Sequence, residues 1–324
     1  MIDTWKGQSM SDNDTTPADL GLPERPRRRR GALVAVIAVV LVAVVAAALY
    51  AVNAGTDDTA AGRTKVRIGV TDASKEYWKT YKQLAAEQGI DIETVNFSDY
   101  HQANPALSQR QIDLNLFQHV LFLANYDVSN DDTLTPIGST YVVPLSLYSQ
   151  KHAAVADIPQ GGTVAIPNDK TNQARALLVL QQAGLIALKG GGTVLSTPAD
   201  IDTAASKVRV VPVDAAQTVA SLPSVDGAIV NNNFALDADL DPSRALFGDD
   251  PNSPDAAPYI NVFVARAEDK DNPVYRKVVE IYRDKRITDQ VVADSKGTSV
   301  SVDRPQAELE RILAELTATV RGAK

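Results

Sequence analysis

Residues 65–117 read KVRIGVTDASKEYWKTYKQLAAEQGIDIETVNFSDYHQANPALSQRQIDLNLF, and the rhythm of this stretch decides the fold. Residues 65–70 form a short apolar-rich strand. Ser74 can cap a helix over 75–88, in which Tyr77, Trp78, Tyr81, Leu84 and Ala85 fall on one face at helical spacing. Gly89 is suited to stop that helix. Residues 91–97 alternate as a strand, 105–110 suit a short helix, and 112–117 form a third strand. Strand, helix, strand, helix, strand predicts an α/β fold with a parallel sheet wrapped by helices. Ligands of such sheets bind beyond the carboxyl ends of the strands. The segments after Val70, Phe97 and Phe117 are therefore the first places to look for a site.

Toward the C-terminus the same rhythm returns. A long strand is predicted over 141–149 (YVVPLSLYS). A second α/β block follows, with strands at 163–166, 208–213 and 227–230 and helices over 172–184 and 215–222. Another long strand, 259–266 (YINVFVAR), precedes helical patterns over 272–294 and 306–320. Two blocks joined by two long strands predict two lobes with paired hinges. Residues 64–144 plus 256–324 would build lobe 1 and residues 145–255 lobe 2. The run 248–258 (GDDPNSPDAAP) reads as a surface loop.

Toward the N-terminus the composition changes. Residues 1–30 are polar, without apolar periodicity, and read as a disordered tail. Residues 31–52, GALVAVIAVVLVAVVAAALYAV, carry no charge. As a helix they would cross the roughly 30 Å core of a bilayer. The four arginines at 27–30 keep the preceding tail cytoplasmic. The expectation is a single-pass signal anchor in the cell membrane, with an extracytoplasmic body. Residues 53–63 (NAGTDDTAAGR) read as a linker. A cleaved signal peptide is the competing reading, although its apolar region usually runs only about 7–15 residues.

Composition excludes several function classes. The chain has 324 residues and no cysteine, which removes disulfides, thiol catalysis and zinc-thiolate sites. Three histidines make a multi-histidine metal site improbable. A formal net charge of −8 disfavours non-specific nucleic-acid binding. No nucleophile elbow, phosphate loop, zinc-protease motif or calcium loop is present. No enzyme motif supports catalysis, although a hydrolase without one stays open, and no cofactor, metal or nucleic-acid partner is expected.

Three stretches could carry binding chemistry. In residues 166–175 (IPNDKTNQAR) a strand ends and a helix begins. Free N–H groups at a helix start attract anions, and Arg175, expected in the first turn, can clamp a carboxylate. The plainer reading is a capped surface helix with a solvated arginine. Residues 117–122 (FQHVLF) sit at the predicted end of a strand. Phe117, His119 and Phe122 suit an apolar, polarizable wall with one polar tip, or ordinary core packing; Tyr100 lies at the equivalent edge of the same sheet. In residues 230–234 (VNNNF) the amides that follow a strand can meet both ammonium and carboxylate groups, or simply form a turn.

Taken together, VNFSDY (95–100), NPALSQRQIDLNLFQH (104–119), VAIPNDKTNQARALLVLQQAGLIALK (164–189), DGAIVNNNFA (226–235) and PYINVFVAR (258–266) resemble the NlpA/MetQ family. These are the substrate-binding lipoproteins of methionine ABC importers. The resemblance spans about residues 64–320. It implies a two-lobed periplasmic-binding-protein fold of type II that closes on its ligand without catalysis. It further implies that Tyr100, Phe117, His119 and Phe122 surround the methionine side chain. Asn172 and Arg175 would hold the carboxylate, and Asn231 would help to hold the amino-acid backbone. The implied partners are L-methionine or a related amino acid and an ABC permease with its cytoplasmic ATPase. Other ligands in the same class are another small amino acid, a methionine derivative or a dipeptide. A sensory ectodomain of the same fold is the alternative from another class. The chain departs from the family's usual pattern at Phe122 (Tyr), Val143 (Tyr) and Lys170 (Pro), and it lacks the lipid-bearing cysteine.

Overall fold

The structure, a computed structural model, describes residues 62–323. The expected tail (1–30), membrane anchor (31–52) and nearly all of the linker (53–63) lie outside the described residues. Among the described residues no helix is long and apolar enough to cross a membrane.

The chain first runs β1 (Thr64–Val70), α1 (Tyr77–Glu87), β2 (Ile90–Asn96), α2 (Tyr100–Ser108), β3 (Leu114–His119), α3 (Val120–Asn130), β4 (Thr135–Ser139) and β5 (Tyr141–Val142). It continues through β6 (Ser146–Tyr148), β7 (Gly162–Pro167), α4 (Lys170–Gln182), β8 (Val208–Val213), α5 (Thr218–Ser221), β9 (Gly227–Val230), α6 (Asn232–Asp237) and β10 (Phe247–Gly248). It ends with β11 (Asn261–Ala265), α7 (Pro273–Tyr282), α8 (Lys285–Asp294), β12 (Val300–Ser301) and α9 (Gln306–Gly322).

Two five-stranded sheets organise these elements. The first has the order β2-β1-β3-β11-β4 and the second β10-β6-β9-β7-β8. In the first, β1 pairs in parallel with β2 and β3, and β11 runs antiparallel to β3 and β4. In the second, β7 pairs in parallel with β8 and β9, and β6 runs antiparallel to β9. The parallel cores match the expected α/β class, and in each sheet the chain returns through an antiparallel strand.

Strand periodicity of two sorts side chains onto opposite faces. On β11, Phe263 and Ala265 join the core under α1, α7 and α8, where Trp78, Tyr81 and Tyr282 are almost fully buried. Val262 and Val264 join the opposite core with Leu121, Leu309 and Ile312. The second sheet repeats the pattern: Val164 and Ile166 pack on Leu177 and Leu180 of α4, and Ala165 packs on Leu222. Gly89, with φ of +76°, ends the α1 segment as its sequence suggests.

Several expected elements are different in the structure. The long strand over 141–149 is two short ones. Pro144 offers no N–H to a ladder, and at 143–145 the chain passes from β5, paired with β12, to β6 of the second sheet. The strand expected over 259–266 is limited to Asn261–Ala265, preceded by a 3-10 turn over Pro254–Tyr259. The helix expected over 272–294 breaks in two, because the Asp284 side chain accepts from the Arg286 N–H and starts α8 afresh. The short helix expected over 105–110 begins earlier, at Tyr100, under an Asp99 cap. The periodicity reading passed over α3 entirely. Its residues Val120 to Ala124 are all buried, so its first half shows no polar face to reveal a helical period.

Candidate functional site

The carboxyl ends of β1, β3, β7 and β9 open onto one cavity between the two sheets, with a volume of about 100 Å³. Tyr100, Phe117, His119, Phe122, Asn172, Arg175 and Asn231 all line it. The first four come from the first sheet and its helices, the last three from the second.

The apolar wall is built from rings at van der Waals reach. The Phe117 and Phe122 centroids lie 5.7 Å apart in an edge-to-face arrangement. Tyr100 lies 6.0 Å from Phe117 and 6.3 Å from Phe122. Phe234, from the opposite side, closes on Tyr100 at 5.2 Å. The Tyr100 hydroxyl donates to Asn233 Oδ1 across the cavity. Such edge and tilted geometries suit a polarizable guest, because ring edges carry partial positive charge and faces partial negative charge.

His119 supplies the polar tip. Its Nδ1 accepts from the Phe122 backbone N–H at 3.1 Å, which caps α3. Burial, followed by the nearby Arg175 charge, pushes its pKa down to about 3. The ring is therefore neutral at physiological pH. With Nδ1 accepting, the single proton sits on Nε2. Nε2 has no hydrogen-bond partner at bonding distance, although Asn172 lies near enough to pull the pKa slightly back up. The cavity thus has a buried N–H donor without a protein acceptor.

Arg175 is held from three sides. Its Nε donates to Asp249 Oδ2 at 2.6 Å, and Nη2 donates to Asp249 Oδ1 at 3.0 Å and to the Val143 carbonyl at 2.8 Å. The guanidinium also sits 4.2 Å from the Tyr259 ring centroid. Among the described residues Nη1 makes no such bond, which leaves it as the free donor of the guanidinium. Val143 lies on one crossing between the sheets. Asp249 and Tyr259 lie on the other. Arg175 therefore ties the two crossings together as well as lining the cavity.

Two expectations about this region need correction. Because α4 begins at Lys170, Arg175 stands in its second turn, not its first. The start of α4 is also not open to a ligand anion. Asp169, itself buried, caps it by accepting from the Asn172 N–H at 3.0 Å. The Asn172 amide is committed in the same way. Its Nδ2 donates to both Asp169 oxygens and its Oδ1 accepts from Asn231 Nδ2 at 3.1 Å. That arrangement leaves Asn231 Oδ1 buried and unpartnered. Asn172 thus sets the pose of Asn231.

Beneath the wall, Asn104, Asn115 and Gln118 close a ring of amide hydrogen bonds at 2.5–2.9 Å. All three are buried. The ring fixes the end of β3, and with it Phe117 and His119.

The sequence reading missed Asp249, because a Pro/Asp-rich run signals a loop and nothing in it signals an arginine partner. It also missed Asp72 and the Lys75–Asp237 ion pair, which spans from the turn before α1 to the end of α6 at 2.9 Å. Asp72 stands just beyond β1, in one of the strand-end segments singled out from the sequence. Among the described residues no group of acidic and histidine side chains is arranged to hold a metal ion.

Known proteins resemble this chain in sequence and in fold. The sequence pattern described as NlpA lipoprotein matches residues 66–302. The D-methionine-binding lipoprotein MetQ of Yersinia pestis is 34% identical over 256 residues, covering 78% of this chain and 93% of that protein. Protein PG110 from Staphylococcus aureus superposes with a TM-score of 0.75 at 37% identity, covering 78% of this chain and 99% of that one. The substrate-binding protein of a methionine transporter from Streptococcus pneumoniae gives 0.69 at 34% identity, covering 74% and 96%. A nutrient-binding protein from Burkholderia cenocepacia bound to methionine gives 0.68 at 33%, covering 73% and 99%.

Proposed function

The chain belongs to the NlpA lipoprotein family, and on that premise we propose that it is the extracytoplasmic substrate-binding component of an ABC importer. In this reading it takes L-methionine between two lobes, each built on one of the two sheets, and delivers it to a permease driven by a cytoplasmic ATPase. It captures and releases its ligand without chemical change. Residues 31–52 anchor it in the membrane in place of a lipid.

One observation carries the reading. One cavity is lined by three aromatic rings, an arginine, and a histidine and an asparagine whose Nε2 and Oδ1 have no protein partner. A thioether chain matches the wall, since sulfur–aromatic contacts are worth about 0.3–1.5 kcal/mol each. A carboxylate matches Arg175 Nη1 and His119 Nε2–H, and an ammonium matches Asn231 Oδ1. A zwitterion buried without such partners would cost several kcal/mol. Relatives with methionine in their names, and a neighbour whose structure is bound to it, support the same ligand class.

The test is to identify what the protein carries. The full chain would be purified from its own membranes and denatured, and the released small molecules identified by mass spectrometry. Methionine at near-stoichiometric amounts is expected. A different stoichiometric metabolite would keep the binding role and replace the ligand. Adjacent permease and ATPase genes would separate import from sensing.

A further inference from the structure

We propose that Asp72 is the anionic receptor for the ligand's ammonium group and so a determinant of specificity; this rests on the methionine-class reading of the cavity. Asp72 follows the carboxyl end of β1 and lines the same cavity as Arg175 and His119. Its two oxygens are aimed by neutral donors. Tyr77 Oη donates to Oδ2 at 2.8 Å and Trp78 Nε1 donates to Oδ1 at 3.1 Å. Both donors belong to α1 and are buried, so the carboxylate is held in a fixed pose.

Among the described residues no cation forms an ion pair with Asp72. Lys75, the nearest, gives its Nζ to Asp237 at 2.9 Å. Burial raises the Asp72 pKa, and the donors and the more distant Lys75 charge offset this only in part. A desolvated carboxylate with neutral donors alone is completed by a positive guest.

The two charged ends of the cavity have separate electrostatic neighbours. Asp72 senses Lys75 and Asp237, whereas Arg175 pairs with Asp249 and acts on His119. The cavity is therefore polar in the sense a zwitterion needs, with an anion at one end and a cation edge at the other. Asn231 Oδ1 is the other acceptor available to an ammonium. A charged acceptor is about twice as strong as a neutral one, so Asp72 dominates the choice between ligands with and without an ammonium. An independent sign that the cavity takes a guest is the unpartnered Nε2 of His119, a residue only 7% exposed.

The experiment uses the full chain in detergent, stripped by unfolding and refolding. It is titrated with L-methionine and N-acetyl-L-methionine, and with a methionine-containing dipeptide and its N-acetyl form. The dipeptide arms tell whether the ammonium belongs to methionine itself or to a preceding residue. Wild type is expected to favour the free ammonium by at least tenfold within one of the two pairs. Asp72→Asn keeps an acceptor for Tyr77 and should bring that preference below threefold, at an unchanged unfolding midpoint. Asp72→Ser is the second variant, and the same loss of preference is expected from it if Asp72→Asn folds poorly. A folded variant that keeps the wild-type preference would overturn the assignment alone. Wild type that binds none of the four ligands would overturn the methionine-class reading and the assignment with it.

Discussion

Arg175 donates from Nε to Asp249 at 2.6 Å, and this bond joins the ligand cavity to the second crossing between the sheets. Both side chains are largely withdrawn from water, at 6% and 17% exposed. The same guanidinium reaches Val143 on the first crossing. A ligand carboxylate at Nη1 would therefore pull on a group that already holds both crossings. On the proposed two-lobe reading, that would be a physical route from ligand capture to lobe closure, which favours the closed state only by the ligand's differential affinity for it.

Replacing either member of this pair separates its two roles. Arg175→Ala strips the cavity of its cation edge and strands Asp249. Breaking a buried pair from one side costs about 3–5 kcal/mol. Both ligand affinity and the unfolding midpoint are expected to fall. Asp249→Asn keeps the guanidinium facing the cavity. It should lose stability while retaining ligand binding within about tenfold, that is ~1.4 kcal/mol. Thermal unfolding paired with calorimetry measures both. Equal loss of binding in the two variants would mean that Arg175 acts only as a tie.

His119 predicts a pH signature. Its pKa falls from an ordinary 6.5 to about 3 in the folded protein. Between these values the unfolded chain binds the extra proton. The contribution of the neutral ring is therefore complete above about pH 6.5 and is lost as pH falls toward 3. The slope for this one group is at most about 1.4 kcal/mol per pH unit. His119→Gln should flatten the wild-type decline between pH 6 and 4, as read by denaturant unfolding at each pH. Ligand affinity in wild type should be level from pH 6.5 to 8.

Asp127 has the opposite sign. Burial raises its pKa from 3.8 to about 8, and its Oδ1 accepts from the Leu134 N–H at 3.2 Å. The folded state holds the proton that the unfolded chain gives up. The stability tied to this group is full below about pH 3.8 and is lost as pH rises through 8. Asp127→Asn keeps the acceptor and removes the titration. It is expected to be at least about 1 kcal/mol more stable than wild type at pH 8 and nearly equal at pH 4. Parallel urea titrations at the two pH values decide it.

The ion pair between Lys75, just before α1, and Asp237 of α6 predicts a weak latch. Lys75 and Asp237 are 21% and 45% exposed, and partly exposed pairs contribute about 0.2–1 kcal/mol. A double-mutant cycle with Lys75→Ala and Asp237→Ala should give a coupling in ligand affinity of roughly two- to fivefold. The coupling should shrink in 1 M salt. Coupling that does not respond to salt would point to packing instead of charge.

The parts of this architecture written in local periodicity were legible from sequence, and those set by distant partners were not. The run from Lys65 to Phe117 declared its strands and first helix because apolar positions alternate or recur at helical spacing. The helix Val120–Asn130 stayed hidden because its first five residues, all buried, erase that period. All seven residues marked from the sequence line one cavity. Their individual tasks depend on partners far along the chain. Asp169 turns out to cap the helix start that looked open to a ligand, and Asp249, 74 positions from Arg175, takes two of its donors. No spacing rule reports a contact of that separation.

The central claim is that the cavity between the sheets receives methionine. The most direct measurement is isothermal titration of the ligand-stripped full chain with L-methionine, with D-methionine, methionine sulfoxide and leucine alongside. The account predicts a single saturable site for L-methionine, tighter than for leucine and weakened at least tenfold by Phe122→Ala. Absence of heat and of any rise in unfolding midpoint with L-methionine, from protein that refolds fully, would contradict it.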